Sequence, residues 1–332
     1  MKNCQLPPLL KPGDLLRVIA PSGALRELEA FHQGVEIWRK RGYRIEISAD
    51  IDNRWGYLAG KDGDRRIQLL NAWKDPACRG ILCARGGYGS ARILEDWTWQ
   101  VYELAKNQKK PSSLTPHPRL RPAGLRLASL TLTPLTKWLI GFSDITALLW
   151  SLSTVGISGV HAPVLTTLAK EPDWSVQRLF DLVESHTITS LTGTGWGGGS
   201  ASGILLPANL TVATHLLGTP IQPNLDSVIL AIEDVTEAPY RIDRLLTQWR
   251  LSGAFNKVRG IALGRFSRCE PPPNIPSLTI EEVLRDRLGD LNIPIVSDLP
   301  FGHDGTNAAL PVGIPVQLNA DKGILSFEPS IT

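Results

Sequence analysis

The sequence has few cysteines, no long apolar run and no apolar segment near its start, and each absence excludes a class of protein. A transmembrane helix needs about 18 or more consecutive apolar residues, and no such run exists. The first twelve residues contain prolines and no apolar core, so we expect no secretory signal. No C-x-x-C pair and no metal-ligand spacing connects the four cysteines, which are Cys4, Cys78, Cys83 and Cys269. We therefore expect a cytoplasmic protein with reduced thiols, no membrane partner and no bound metal.

The net charge is also small, only +3 for 332 residues. This small excess gives no reason to expect a nucleic-acid partner. The 42% hydrophobic and 20% charged contents are ordinary for a folded globular protein. A chain of this length has room for a large core and for two domains.

Strand and helix patterns alternate through the first half of the chain. Apolar strand candidates at 15–20, 43–47 and 80–84 are separated by amphipathic helix patterns. This alternation predicts an α/β domain over 1–170 with a parallel, flavodoxin- or Rossmann-like sheet. A linker is expected at 171–200, because its end is rich in Gly, Ser and Thr. The remainder, 201–332, predicts a smaller, strand-rich α+β domain.

One segment inside the first half is different in composition. Residues 106–137 contain seven Lys or Arg, five Pro and no acidic residue, without a sustained helical or strand period. Aromatic residues that would stack on bases are missing from it. We interpret the segment as a basic, exposed and flexible insertion.

The stretch from Trp138 to Trp150 predicts a strand that turns directly into a helix at Ser143. Asp144 is a residue type that favours a helix start. A serine at this point places its hydroxyl beside unpaired backbone N–H groups, as in the strand–nucleophile–helix turn of hydrolases. On this stretch alone, a simple helix cap is the favoured interpretation of Ser143, because Ser and Asp are common at helix starts.

A glycine-rich loop, 85–92, follows the strand candidate at 80–84 and has the sequence Arg-Gly-Gly-Tyr-Gly-Ser-Ala-Arg. Two functions fit it besides a bare tight turn. It could bind a phosphate, although neither the G-x-G-x-x-G spacing nor a P-loop lysine is present. Alternatively, its backbone amides could contribute an oxyanion hole to the site that contains Ser143.

A catalytic serine needs a base, and an oriented base needs an acceptor. Among the six histidines, His161 and His303 both lie at strand ends beside Gly or Pro turns, where catalytic groups are commonly presented. Glu233 ends an apolar strand and is the best candidate to orient an imidazole. The residues alone leave Ser143–His303–Glu233 as one of several combinations.

The motifs taken in order resemble the LD-carboxypeptidase family of serine peptidases, which includes microcin-immunity hydrolases. The resemblance extends nearly from end to end, and the motifs that carry it are Lys11-Pro-Gly-Asp14, Ala20-Pro-Ser-Gly23, Ala59-Gly60, Arg85-Gly-Gly-Tyr-Gly89, Gly141-Phe-Ser-Asp-Ile-Thr146, Asn209-Leu210, Gly218-Thr-Pro220, Glu233-Asp-Val235, Tyr240-Arg-Ile-Asp243 and Gly302-His303.

The resemblance implies particular roles for residues of this chain. It implies Ser143 as nucleophile, His303 as general base and Glu233 as the partner of the base. Further implied residues are Gly87 and Asp144 as oxyanion-hole amides and Asn209 as part of the pocket wall. Arg85 is a candidate by position for binding the free carboxylate of a substrate.

The implied activity is removal of a terminal D-amino acid from a murein peptide, without a cofactor. Alternatives are a self-immunity hydrolase of peptide–nucleotide antibiotics and a non-enzymatic phosphate- or nucleotide-binding protein. A small peptide substrate and a homodimer are the expected partners.

Three residues depart from the family pattern. Ala162 and the pair Pro207-Ala208 stand where the family usually has glycine. Loss of glycine removes backbone freedom beside Asn209, and we expect this to affect substrate preference more than chemistry.

Overall fold

A computed structural model describes residues 3–99, 102–104, 132–134, 136–271 and 273–327. The α-helices are α1 (Leu28–Lys40), α2 (Asp62–Lys74), α3 (Thr146–Thr154), α4 (Leu165–Leu168), α5 (Asp173–Ser185), α6 (Leu210–Leu216), α7 (Pro239–Leu251) and α8 (Ile280–Leu288). The strands are β1 (Leu15–Ile19), β2 (Arg44–Ile47), β3 (Cys78–Cys83), β4 (Tyr102–Leu104), β5 (Leu132–Pro134), β6 (Trp138–Gly141), β7 (Val160–His161), β8 (Leu191–Thr192), β9 (Thr194–Trp196), β10 (Ser200–Asn209), β11 (Val228–Val235), β12 (Gly260–Ser267), β13 (Ile295–Ser297), β14 (Leu310–Pro311), β15 (Pro315–Asn319) and β16 (Ile324–Phe327).

The first sheet has the order β14-β7-β6-β3-β1-β2. Its strands are parallel except for β14, which pairs antiparallel with β7 and comes from the second half of the chain. Apart from β14, the order corresponds to the flavodoxin-like doubly wound arrangement. The expected α/β fold is confirmed. The loops after β1, β3 and β6 leave the same edge of the sheet, where ligands bind in this class.

The second sheet is larger and mixed, with the order β8-β16-β15-β10-β11-β12-β13-β9. Its centre, β10 to β13, is parallel, and the intervening helices α6, α7 and α8 provide the crossovers. The strands on both flanks are antiparallel, and the predicted closing hairpin is β15 and β16. The strand-rich second half is confirmed, although its core consists of β-α-β units.

The expected linker and insertion differ in part from the prediction. Segment 171–200 includes α5 and two short strands, β8 and β9, that join the second sheet, because Leu191 and Trp196 find apolar partners there. Most of 106–137 lies outside the described residues. Its described end is ordered: β5 pairs with β4, and buried Lys137 donates from Nζ to the Ala72 carbonyl at 3.0 Å. The domain boundaries stay a prediction.

Apolar side chains from both sheets form the core. All four cysteines are buried and unpaired, in agreement with the expectation of free thiols. Trp150 of α3 donates to the carbonyl of Pro207 in β10 at 3.1 Å, so the helix after Ser143 packs against the second sheet. In the part of the chain that the structure describes, every helix is too short or too polar to cross a membrane.

Candidate active site

Ser143 lies at the sharp turn between β6 and α3. Gly141 ends the strand, Phe142 is extended, and a single 3-10 turn from Ser143 to Ile145 leads into the helix. Ser143 has a φ of +61°, which is unusual for a residue with a side chain. This left-handed conformation costs roughly 1–2 kcal/mol. A strained serine between strand and helix has the geometry of a nucleophile turn, and a simple helix cap does not require it.

The glycine-rich loop after β3 packs directly on this serine. A methyl group added to Gly86 would lie 3.0 Å from the Cβ and 3.1 Å from the Oγ of Ser143. Gly87, with a φ of +110°, follows in a conformation that favours glycine. Gly86 was not predicted from the sequence, because its contact with Ser143 depends on β3 and β6 being neighbours in the sheet.

The side chain of Asp144 holds two loops around the turn. Its Oδ2 accepts from the Ser22 hydroxyl at 2.6 Å and from the backbone N–H of Ser90 at 2.8 Å. The side chain of Asp144 therefore does not cap the helix, although its residue type suggested that it would. Instead its buried carboxylate fixes the loops after β1 and β3 against the turn that contains Ser143. Its backbone N–H lies near Gly86.

Glu233 and His303 form a close pair beside Ser143. Glu233 lies near the end of β11 with 0% exposure, and its Oε2 is 2.6 Å from Nδ1 of His303. A carboxylate only accepts, so Nδ1 carries the proton, and in the neutral form of the ring Nε2 is left as an acceptor. The imidazole packs against the ring of Phe142, with 4.5 Å between ring centroids. The imidazole of His303 is thus oriented next to the residue that precedes Ser143.

Asn209 connects this pair to a second carboxylate. Its Nδ2 donates to Glu233 Oε1 at 3.3 Å and to Asp234 Oδ1 at 3.1 Å, while Oδ1 caps α6. Thr146, three residues after Ser143, accepts from the Asn209 backbone N–H at 3.0 Å. Burial, and then the adjacent Glu233, raise the pKa of Asp234 to about 6. Asn209 therefore links Thr146, close to Ser143 in the sequence, with Glu233, the partner of His303.

Departures from the family motif do not disturb this arrangement. Pro207 and Ala208 have φ values outside the left-handed region, so glycine is not required at either position. Ala162 and Ala208 are fully buried, away from the cleft surface. Their effect on substrate preference stays a prediction.

A cleft of about 490 Å³ brings most of the predicted site together. Ser143, Gly87, Asn209, His303 and Arg85 line it, whereas Asp144 and Glu233 are buried behind its wall. The Arg85 guanidinium donates from one terminal nitrogen to the Ala24 carbonyl at 2.7 Å and lies 3.8 Å from the Glu27 carboxylate.

A larger cavity of about 800 Å³ adjoins the cleft and shares His303 with it, but Ser143 does not line it. Strands β12 and β13 and helix α8 form its walls, with Trp196 at one side. Because the proposed nucleophile is absent from its lining, we place the chemistry in the smaller cleft. Among the described residues, no group of three or more His, Cys, Asp or Glu side chains is arranged to hold a metal ion.

His161 is the other histidine that the sequence left open as a base. It has 0% exposure and packs edge-on against Phe142 and Phe301. Neither ring nitrogen has a hydrogen bond of good geometry among the described residues, although the Asn307 side chain lies close enough to interact with the ring, and burial lowers the pKa of His161 to about 4. A fully buried imidazole outside the cleft lining is poorly placed to exchange protons with a substrate, which favours His303.

The chain matches known proteins over most of its length. A family model described as the LD-carboxypeptidase N-terminal domain matches 16–162, and one described as the C-terminal domain matches 202–318. A relative from Synechocystis sp., provisionally named a carboxypeptidase, is 54% identical over 326 residues, which are 98% of each chain.

Two solved structures share the fold. Muramoyltetrapeptide carboxypeptidase from Oxalobacter formigenes has a TM-score of 0.74 at 25% identity, over 95% of this chain and 99% of its own. The microcin C7 self-immunity protein MccF, in its wild-type apo state, has a TM-score of 0.77 at 19% identity, over 99% and 100%. At that identity, the second likeness concerns the fold alone.

Proposed function

The chain belongs to the LD-carboxypeptidase family, and from that premise we propose that it is a serine-type carboxypeptidase acting on murein peptides. It removes a terminal D-amino acid by cleaving an L–D amide bond. The observation that carries this proposal is the 2.6 Å contact between buried Glu233 and His303, which lines the same cleft as the strained Ser143.

The proposed mechanism uses these three side chains in sequence. His303 Nε2 takes the proton from Ser143 Oγ as the oxygen attacks the amide carbonyl, and then donates it to the departing amine of the D-amino acid. Water, activated by the same imidazole, releases the acyl group. Glu233 holds the imidazole in the required tautomer and stabilises the imidazolium that forms in each half of the reaction.

The developing oxyanion needs donors that are fixed before the reaction begins. Backbone N–H groups at Gly87 and Asp144 are the proposed donors, and two features support them. The loop containing Gly87 packs on the serine, and buried Asp144 ties that loop to the nucleophile turn. Preorganised donors of this kind typically contribute a factor of about 10²–10³ each to turnover.

Packing of Gly86 on Ser143 also favours an oxyanion role for the loop over the phosphate-binding alternative. A phosphate cradle would need open space where Gly86 meets the serine. A small peptide substrate is the proposed ligand. The cytoplasmic location and the homodimer stay predictions, as does the absence of a nucleic-acid partner.

The proposal is tested by incubation of the protein with a murein tetrapeptide that ends in an L–D bond. Mass spectrometry should detect loss of one D-alanine with wild-type protein and no loss with Ser143→Ala. An intact tetrapeptide after prolonged incubation with folded wild-type protein would contradict the proposal.

A second candidate is a self-immunity hydrolase, the function printed for MccF, whose fold this chain shares over nearly its whole length. An aminoacyl-sulfamoyl adenosine, offered in parallel to the tetrapeptide, separates the two. Because both activities use the same nucleophile, the choice of substrate has to distinguish them. Cleavage of the adenosine conjugate but not of the tetrapeptide would favour the immunity function.

A further inference from the structure

Among the described residues that line the cleft around Ser143, one cation has no carboxylate partner. Arg85 is within 4 Å of Glu27, and Glu237 lies 3.4 Å from Arg241. The exposed side chain of Lys170 also lines the cleft, and no carboxylate lies within 4 Å of its Nζ among the described residues.

The remaining acid of the cleft is also committed to other groups. Asp234 accepts from the backbone N–H and the hydroxyl of Thr211, both at 2.8 Å, as well as from Asn209. Arg85 is further occupied by the Ala24 carbonyl at 2.7 Å. In the described part of the cleft, Lys170 is therefore the cation whose charge is not already offset when an anion enters.

The backbone beside Lys170 is firmly held. Glu171 Oε2 accepts from the Asn307 backbone N–H at 2.7 Å and from the Ser175 hydroxyl at 2.8 Å, and burial raises the pKa of Glu171. The Lys170 backbone N–H donates to the Thr167 carbonyl at 2.9 Å. This anchoring fixes the base of a flexible side chain at the cleft wall, which reduces the entropy lost when its ammonium group binds a ligand.

The same anchor reaches the loop that contains the proposed base. Asn307 Oδ1 accepts from the backbone N–H of Gly302 at 3.2 Å, and Gly302 directly precedes His303. The Asn307 carbonyl accepts from Ser175 at 3.1 Å. The backbone positions of Lys170 and His303 are therefore fixed relative to each other through Glu171 and Asn307. The two residues are nevertheless far apart in the sequence.

We infer that Lys170 binds the free C-terminal carboxylate of the substrate, a role that the sequence suggested for Arg85. The inference rests on the proposed carboxypeptidase function, because only an exopeptidase has to recognise a terminal carboxylate. The ammonium donates charge-assisted hydrogen bonds to the carboxylate while the scissile carbonyl lies at Ser143. Lys170 is then a specificity residue that takes no part in proton transfer.

The test compares two matched tetrapeptides, one ending in D-alanine and one in D-alanine amide. Wild-type protein should prefer the free acid. Lys170→Gln should lower kcat/KM for the acid by about 10- to 100-fold, which corresponds to a hydrogen bond to a charged group. The same variant should lower kcat/KM for the amide much less than for the acid, so that the preference for the acid disappears. Lys170→Arg should restore most of the preference, and Lys322→Gln, at an exposed turn between β15 and β16, is the control.

The outcomes separate this inference from the proposed function. Retention of the acid preference by Lys170→Gln, together with its loss in Arg85→Gln, would overturn the inference and leave the carboxypeptidase function intact. Hydrolysis of neither peptide by wild-type protein would instead contradict the proposed function, and the inference with it.

Discussion

Replacement of Glu233 by Gln tests the orientation of the base with the smallest possible change in shape. Glu233 is fully buried, and its Oε2 accepts a 2.6 Å hydrogen bond from Nδ1 of His303. A glutamine amide can donate at this position, which would favour the tautomer with a proton on Nε2. That tautomer cannot accept the proton of Ser143.

The expected loss follows from this geometry. The variant loses both the correct tautomer and the negative charge that stabilises the imidazolium, and comparable aspartate-to-asparagine changes in serine peptidases cost about 10⁴ in kcat. This factor corresponds to about 5 kcal/mol of transition-state stabilisation. Binding of the ground state should change little, because Glu233 is buried behind the cleft wall and does not line the cleft.

The assay is the initial rate of D-alanine release at several substrate concentrations, which separates kcat from KM. Glu46→Gln provides a matched control, since Glu46 also lies on a strand and pairs with Arg17 at 3.1 Å, but is half exposed on β2. Thermal unfolding of both variants checks that the fold is retained. A folded Glu233→Gln variant with kcat within tenfold of wild type would refute the assigned role of Glu233.

Three further predictions concern the serine, its glycine neighbour and the buried histidine. Ser143→Ala and His303→Ala should each lower kcat by about 10⁶, and the double variant should be no slower, as measured by single-turnover hydrolysis; additive losses would argue against a joint role. Gly86→Ala should lower kcat at least tenfold, because its methyl group would lie 3.1 Å from the serine oxygen, whereas Gly63→Ala, with open space around it, should not. Burial lowers the pKa of His161 from 6.5 to about 4, so its contribution to stability is present above pH 6.5 and is lost as pH falls towards 4. The unfolding free energy, measured by urea titration, should therefore fall between pH 7 and pH 4 by on the order of 3 kcal/mol less in His161→Leu than in wild type. The same fall in both proteins would contradict this prediction.

The first half of the fold could be predicted because its signals are local. Apolar runs that end in Pro21-Ser-Gly23 and in Arg85-Gly-Gly87 indicate buried strands whose loops leave one edge of a parallel sheet. The break at Gly141 likewise indicates where the strand before Ser143 ends. Such patterns depend on residues close in sequence, and the structure agrees with them.

The parts that could not be predicted depend on contacts between distant residues. Strand β14 pairs with β7, because β7 would otherwise be the edge strand of the first sheet with free backbone groups. The two strands are more than 140 residues apart in the sequence. The short strands β8 and β9 lie in a Gly-rich passage with little strand propensity, and only pairing with β16 and β13 orders them.

The same limit applies to the candidate site. The sequence pointed to Ser143, Glu233 and His303 through family motifs, and the structure brings the last two into contact. Lys170 could not be identified from the sequence, because its significance lies in the absence of a nearby carboxylate in the described part of the fold. The Glu171–Asn307 contact joins residues that are 136 positions apart, and no local pattern reports it.

The central claim is that Ser143 is a nucleophile activated by His303, and covalent labelling tests it most directly. A fluorophosphonate should add one phosphonyl group to the wild-type protein, and peptide mass spectrometry should map it to Ser143. Labelling should be abolished in Ser143→Ala and strongly slowed in His303→Ala, because the imidazole removes the serine proton. Modification of another residue, or equal labelling rates in wild type and His303→Ala, would contradict the account.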